Sequence, residues 1–295
     1  ADKSSRFSVG HQWAYFPSVG LSWNVSDENF AKRLIPVFSS LKLRATVGSS
    51  GNQEIGFNEY STYFNVGRYD GSSAYELSTL NNPNLKWETT KEYNVGIDAA
   101  ILDNRITLVA DIYSKKTKDL LMKTPAPLGS ASSELQTSNA GNLTNKGFEL
   151  AVGVKIIDRK DFDWTLSTNF ARNINKVTQI NGYEELTQGK DQEQILRVGQ
   201  PVGSFYGYVF DGVVQSNEDT SSLPTIGSNT PKAGDIKLRD ISGPNGVPDG
   251  KISAEYDRTV LGSIQPDFTY GFSTALIYHR WDLYLSFFGS QGNKV

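Results

Sequence analysis

The sequence predicts an all-β protein, and more specifically part of an antiparallel transmembrane β-barrel. Three observations lead to this prediction: long strands that alternate apolar and polar residues, connections of very unequal length, and aromatic residues near the strand ends. The chain has 295 residues, of which 12% are aromatic and 21% charged, and it contains no cysteine. Because barrel strands are apolar on one face only, their average hydropathy is unremarkable.

Eight segments alternate apolar and polar residues, and they group into four hairpins. Each is about nine to twelve residues long, which is the length that a tilted strand needs to cross hydrocarbon. Strands of soluble sandwiches are shorter, about five or six residues. The predicted hairpins pair residues 16–25 with 41–49, 93–101 with 105–114, 147–156 with 162–173, and 267–278 with 280–289.

The connections inside the hairpins are short in three of the four, at residues 102–104, at 157–161 and around His279. The fourth, residues 26–40, is longer, and its first residues predict a capped helical turn. The links between hairpins are long. Short periplasmic turns opposite long extracellular loops are typical of outer-membrane barrels. The long links are residues 50–90, 115–146 and 174–266.

One face of the predicted strands carries apolar, alanine and threonine side chains and no charge. The second hairpin illustrates the pattern with alternate residues from Val95 to Ile101 and from Ile106 to Ile112. Aromatic residues cluster at both ends of this face, Trp23, Trp164, Tyr278 and Trp281 near the short turns and Phe16, Phe170, Phe268 and Tyr270 near the long loops. We therefore expect this face to contact lipid and the opposite face to line the lumen. The predicted lumen-facing charged residues are Lys42, Arg44, Asp98, Asp111, Glu149 and Asp282.

The composition and motifs favour a binding or transport function over catalysis. The two histidines are distant in sequence, and no nucleophile-elbow, phosphate-loop or zinc-protease motif occurs. We expect no enzymatic activity, catalytic residue, cofactor or protein-held metal. The balanced charge, 29 basic against 32 acidic residues, also gives no basic footprint for nucleic acid.

Aromatic residues in the long links are candidate contacts for cargo or a partner, although local loop packing is the simpler explanation. Segment 205–214 is expected to be an extracellular β-segment, because a single extra crossing between residues 174 and 266 would reverse the direction of the chain. The stretch from Asp240 to Asp249 has acidic residues and Asn-Gly and Asp-Gly pairs, which fit a structural turn better than a cation loop. The candidate contact residues are Tyr60, Tyr63, Phe64, Tyr69, Tyr75, Phe205, Tyr206 and Tyr208.

Several runs along the chain resemble the SusC/RagA-type TonB-dependent transporters of Bacteroidota. Singly these runs are weak signals, but their order makes the resemblance specific. They are YFPSVGLSW at residues 15–23, LKLRATVG at 41–48, NPNLKWE at 82–88, NAGNLTNKGFEL at 139–150, GQPVGSFYGY at 199–208, GDI at 234–236 and DRTVLG at 257–262.

The resemblance implies an energy-coupled importer of glycans or peptides in the outer membrane, with a plugged barrel of about 22 strands. It also implies a SusD-like surface lipoprotein and the TonB complex as partners. Residues 1–295 would belong to a single barrel domain, with the plug and the closing strands outside this chain. Two alternatives stay open: a non-transporting barrel, such as an adhesin or assembly component, and a soluble β-rich binding module.

Overall fold

The computed structural model describes residues 1–80, 82–125, 135–189 and 191–295, and its regular secondary structure is almost entirely β-strand. A short α-helix, α1 (Asn29–Leu34), and two 3-10 helices, Val25–Asp27 and Thr220–Ser222, complete the regular structure. Within the described residues, no helix is both long enough and apolar enough to cross a membrane. The strands are β1 (Asp2–Lys3), β2 (Trp13–Ala14), β3 (Ser18–Asn24), β4 (Phe38–Asn52), β5 (Tyr63–Tyr69), β6 (Ser72–Thr79), β7 (Glu88–Ile101), β8 (Ile106–Pro125), β9 (Leu135–Arg159), β10 (Phe162–Ile180), β11 (Glu185–Gln188), β12 (Gln194–Arg197), β13 (Ser204–Tyr208), β14 (Phe210–Val213), β15 (Thr225–Ile226), β16 (Ile236–Leu238), β17 (Lys251–Ile252), β18 (Arg258–Ser263), β19 (Phe268–Tyr278) and β20 (Trp281–Gln291).

The largest sheet has eight antiparallel strands in the order β20-β19-β10-β9-β8-β7-β4-β3. These are the eight predicted segments, and all four predicted hairpins are confirmed. Every strand of this sheet therefore pairs with its nearest neighbours among the eight along the chain. This is the meander topology that up-and-down barrels use.

The register aligns the predicted apolar positions across neighbouring strands. One row runs through Leu21, Ala45, Val95, Ile112 and Phe148, each opposite the next. Because strand residues alternate between faces, this alignment fixes one continuous apolar face on the sheet.

Aromatic side chains on the apolar face stack across strands near the loop-side end. The rings of Phe148 and Phe170 lie 5.5 Å apart, and those of Phe170 and Phe268 lie 5.3 Å apart. Phe16 precedes β3, although the predicted strand starts at this residue. Its ring lies over Gly51 of β4 and packs edge-on against Trp87, at 5.5 Å between ring centroids.

The short turns confirm the tight connections expected from the sequence. Leu102, Asp103 and Asn104 all have φ near +55°, at +54°, +52° and +62°, and His279 has φ of +54°. Between β9 and β10 the ladder continues to Arg159 opposite Phe162, so this turn is shorter than predicted.

The predicted end of the first strand is wrong by one residue. The predicted strand 16–25 includes Val25, but β3 ends at Asn24 and Val25 is buried in the 3-10 helix. The helical turn in the link 26–40 is confirmed as α1. No side-chain hydrogen bond caps it, and the Glu28 carboxylate accepts from Trp23 Nε1 instead.

The strands β7 to β10 extend well beyond their predicted loop-side ends. The predicted loop over residues 115–146 is wrong for its described part, because β8 continues to Pro125 and β9 starts at Leu135. Residues 126–134 of that predicted loop lie outside the described residues. In the extensions both faces carry polar side chains, so alternation, the signal used for strands, is missing there.

The chain forms two compact units. The first comprises Ala1–Glu184 and Pro266–Gly292 and contains the eight-stranded sheet. The second, Glu185–Gln265 with Asn293–Val295, contains the four-stranded sheet β11-β12-β13-β18 and two small two-stranded sheets. Segment 205–214 lies in the second unit and in no strand of the large sheet, as predicted. The assignment of residues 1–295 to one domain stays a prediction.

The two faces of β8 differ sharply in their expected tolerance of charge. Leu108 lies on the apolar face, opposite Ala99 and Val152, whereas Asp111 lies on the polar face. We expect Leu108→Arg in the full-length protein to cost about 2–4 kcal/mol near mid-bilayer and to block assembly. Asp111→Asn should assemble normally. Heat-modifiable migration of the folded barrel on gels measures both, and equal behaviour of the two variants would contradict the face assignment.

Candidate functional site

The polar face of the large sheet carries an ion-pair network that joins three strands. Arg44 of β4 donates from Nε and Nη2 to the Asp98 carboxylate of β7, at 3.0 and 2.8 Å. The same Nη2 donates to Asp111 Oδ2 of β8 at 3.0 Å. A planar guanidinium fits such forked contacts with carboxylates better than an ammonium does.

Gly96 makes this network possible. It lies between Arg44 and Asp111 in the cross-strand register, on the intervening strand β7. A Cβ atom at position 96 would lie 2.7 Å from Arg44 Nη2 and closer still to Asp111 Oδ1. The missing side chain therefore leaves the space through which Arg44 reaches across a whole strand.

The other predicted lumen residues occupy the same face but differ in their surroundings. Lys42 lies directly opposite Asp98, and Glu149 lies opposite Asp111. Asp282 is distant in the sheet order, opposite Ile277 at the turn-side end of β20. That this face lines a lumen stays a prediction.

A group of amide side chains continues the polar face toward the loop side, and sequence reasoning missed it. Asn145 Oδ1 accepts from Asn173 Nδ2 at 3.1 Å and from Asn175 Nδ2 at 2.8 Å. Tyr113 Oη donates to Asn173 Oδ1 at 3.2 Å. Asn at positions 173 and 175 of β10, which share one face of the strand, was the sequence feature that could have indicated this group. A search for charged residues ignores it.

The candidate aromatic residues of the link 50–90 do not form one group. Tyr60 packs against a buried cluster of Phe7, Leu85 and Trp87, which is the loop-packing role that we considered simpler. Tyr63, Phe64 and Tyr75 are exposed on the two-stranded ribbon β5–β6. Tyr69 ends β5, but its side chain lies outside the described part of the chain.

The remaining aromatic candidates lie on β13 in the second unit and are half-buried. Two guanidinium groups lie near the Tyr206 ring, that of Arg197 at 5.4 Å and that of Arg258 at 4.7 Å from its centroid. Arg197 also pairs with Glu185 at 2.6 Å, and Arg258 donates to the carbonyl of Tyr206 at 2.9 Å. These contacts give Tyr206 a packing role, and a role for Phe205, Tyr206 or Tyr208 in binding stays a prediction.

The acidic loop of the second unit uses its carboxylates to stabilise turns. Asp240 Oδ2 accepts from Gly250 N at 2.6 Å, and Asp249 Oδ1 accepts from Lys251 N at 3.0 Å. Among residues 1–80, 82–125, 135–189 and 191–295, no three His, Cys, Asp or Glu side chains are grouped to hold a metal ion.

Asp257, which follows this loop, is fully buried and accepts hydrogen bonds from Ile241 N, Ser242 N, Ser253 N and Ser253 Oγ. Burial alone would raise the pKa of Asp257, but these hydrogen bonds outweigh it and hold the pKa below its ordinary value. The ionised carboxylate therefore acts as a structural anchor at the start of β18.

Two of the sequence runs that carry the family resemblance contact each other in the structure. Asn139 Oδ1 accepts from Lys86 N at 3.0 Å, and its Nδ2 donates to the carbonyls of Lys86 and Asp119, both at 2.8 Å. Asn142 Oδ1 accepts from Asp119 N at 3.2 Å, where Asp119 has φ of +58° beside a β-bulge. These amides therefore replace ladder hydrogen bonds where β8 and β9 are irregular.

A mainly apolar face, a charged and amide-rich polar face and strands extended on one side define the wall of a membrane-spanning β-barrel. Residues 1–287 match the family described as TonB dependent receptor-like, beta-barrel, and the chain belongs to this family. Over its whole length the chain is 36% identical to TonB-dependent receptor P3 of Formosa agariphila. Over 70% of its length it is 37% identical to TonB-dependent receptor SusC of Bacteroides thetaiotaomicron.

Solved structures of the RagAB peptide transporter share this fold. One superposes with a TM-score of 0.78 over 97% of this chain at 26% identity, and the importer in its closed-closed state with 0.79 over 99% at 25% identity. The chain spans 30% of the length of TonB-dependent receptor P3, 22% of that of SusC, and 30% and 31% of these two solved chains.

The Arg44 network gives a prediction about stability. Arg44→Gln leaves Asp98 and Asp111 without a cationic partner, so we expect the folded full-length barrel to lose about 1–2 kcal/mol of unfolding free energy. Lys42 lies two residues before Arg44 on the same strand and face, and it makes no ion pair with the described residues. Lys42→Gln should therefore change the unfolding free energy by less than about 0.5 kcal/mol. Urea unfolding followed by gel mobility measures both, and an equal loss would contradict a specific role for Arg44.

Proposed function

We propose that this chain is part of the barrel of a TonB-dependent importer in the outer membrane of a Gram-negative bacterium. The observation that carries the proposal is the eight-stranded sheet with one mainly apolar face and one face bearing the Arg44–Asp98–Asp111 network. Such a sheet separates lipid from a polar interior. The similarity to SusC and to the RagAB importer supports transport as its purpose.

The proposed cargo is a glycan or a peptide, received with the help of a SusD-like surface lipoprotein. RagAB, which shares the fold, is a peptide transporter. On this chain, the polar face is rich in amide and charged side chains, and such groups can bond hydroxyl or peptide groups equally. The exposed Tyr63, Phe64 and Tyr75 offer apolar surface for cargo or for the lipoprotein.

Import would have no chemical step catalysed by this chain. The TonB complex would act through a part of the protein outside residues 1–295, and the proton motive force would supply the energy. The barrel contributes the path and the polar surface along it.

Dependence on energy separates this proposal from a passive or adhesive barrel. We expect uptake by the full-length protein in intact cells to fall to background when the proton motive force is collapsed with an uncoupler. Surface binding of the same labelled cargo should be unchanged, because binding needs no plug movement. Uptake that continues under these conditions would favour the non-transporting alternative or a passive pore.

The second unit provides a test of sidedness. β10 pairs with β19, so residues 181–267 leave the sheet and return to it at the same end of two neighbouring strands. We therefore place this whole segment outside the cell and the 102–104 turn in the periplasm. Ser216→Cys and Ser228→Cys, both at exposed positions, should react with a membrane-impermeant maleimide on intact cells.

Asn104→Cys provides the control, and it should react only after lysis. The chain contains no native cysteine to give background labelling within these residues. Labelling of Asn104→Cys on intact cells would invert the orientation.

A further inference from the structure

The connection between β3 and β4 folds back onto the turn-side ends of the strands. The 3-10 helix Val25–Asp27 contacts β4, and Ala31 of α1 and Val25 are buried, at 1% and 8% exposure. Ile35 N donates to Ala31 O at 2.9 Å and closes α1. The segment therefore has a defined position at the end of the strands.

This segment lies on the apolar side of the sheet. Trp23 is the last residue of β3 on the apolar face, opposite Leu43. Its ring centroid lies 6.2 Å from that of Phe30, and its Nε1 donates to Glu28 Oε1 at 3.1 Å. Glu28 and Phe30 therefore share the side of the sheet that faces lipid.

The outer surface of the segment combines exposed apolar residues with two unpaired basic ones. Phe30, Val37 and Leu102 are about half exposed, and Leu102 N donates to Val37 O at 3.1 Å, which joins the segment to the neighbouring turn. Lys32 and Arg33 are exposed and make no ion pair within the described residues. Apolar side chains beside Lys and Arg are typical of segments at a membrane surface.

We propose that residues 25–37 form a phospholipid-binding plate at the turn-side membrane surface. Phe30, Val37 and Leu102 insert at the boundary between headgroups and acyl chains. Lys32 and Arg33 bind the phosphates of the phospholipids in the leaflet that faces the turns. Phospholipid is the occupant because Trp23 makes this surface continuous with the apolar face, which contacts acyl chains along the whole strand. The proposal depends on the membrane-spanning sheet and not on cargo or energy coupling.

Fluorescence quenching tests the insertion. Phe30→Cys in the full-length protein, freed of any other cysteine, is labelled with bimane and reconstituted in phosphatidylcholine vesicles. Lipids brominated near the headgroup should quench the label strongly, and lipids brominated near the chain end should quench it less. Ser22→Cys, at the adjacent polar-face position before Trp23, should stay unquenched. An unquenched label at position 30 would show that polypeptide covers Phe30, and quenching at position 22 would refute the assignment of sides. Either result overturns the proposal.

Lipid selectivity tests the basic residues. In vesicles of phosphatidylglycerol and phosphatidylcholine, native mass spectrometry measures which lipid stays bound to the full-length protein. The double variant Lys32→Gln with Arg33→Gln should lower the ratio of bound phosphatidylglycerol to phosphatidylcholine by about fivefold for each charge removed. The matched control, Lys116→Gln with Lys118→Gln on the loop-side extension of β8, removes the same charge and should leave the ratio unchanged. An unchanged ratio in the first variant, or an equal fall in both, overturns phosphate binding at Lys32 and Arg33.

Discussion

The backbone hydrogen bonds of the eight-stranded sheet are the constraint on which the other features depend. In hydrocarbon no water is available for an unpaired N–H or C=O group, and each one left unpaired costs several kcal/mol. Strands that cross lipid must therefore pair fully with their neighbours, and full pairing fixes the register. A fixed register in turn separates the side chains into two faces, because a shift of one residue would exchange them. The row from Leu21 to Phe148 and the network of Arg44 are both consequences of this single register.

The polar face shows how one small residue determines the contacts of several large ones. Because Gly96 has no side chain, Arg44 reaches carboxylates on two strands, and three strands are tied together at one level. Two carboxylates opposite each other would repel, as Asp111 and Glu149 do in the register, and the guanidinium offsets part of that repulsion. The arrangement is electrostatic and directional, and it lies on the face opposite the row of apolar residues from Leu21 to Phe148. The ion pairs thus lie on one face of these strands, and the apolar side chains lie on the other.

The part of the fold that lies against lipid was predictable from the sequence, because there a single physical demand governs every second residue. Alternation identified all eight strands, their pairing and both faces. It failed where that demand ends: in the extensions of β7 to β10, pairing continues but Asn and Lys occupy both faces. It also failed at the ends of the first strand, because Phe16 and Val25 lie just outside β3. Hydrophobicity fixes the face on which a residue lies, but a register shift of two residues leaves both faces unchanged. The charged residues of the polar face were therefore predictable. The partners of Arg44 depend on the exact register, so their network was not.

Five of the seven sequence runs that resemble the family lie wholly or mostly outside the predicted spanning segments, and this follows from the same constraint; the other two, at residues 15–23 and 41–48, fall largely on β3 and β4. Within hydrocarbon many apolar residues serve equally well, so a spanning strand carries little specific sequence. Outside it, a bulge or a broken ladder leaves backbone groups that particular side chains must satisfy. Asn139 and Asn142 do this for Lys86, just before β7, and for Asp119 of β8, and Asp257 does it for three backbone N–H groups in the second unit. The second unit itself is inserted where β10 and β19 lie side by side, and lengthening such a connection costs only about 0.6 kcal/mol for each doubling. Specific sequence and inserted structure therefore accumulate in the connections between the spanning strands, while the spanning part is held largely to a simple repeating pattern.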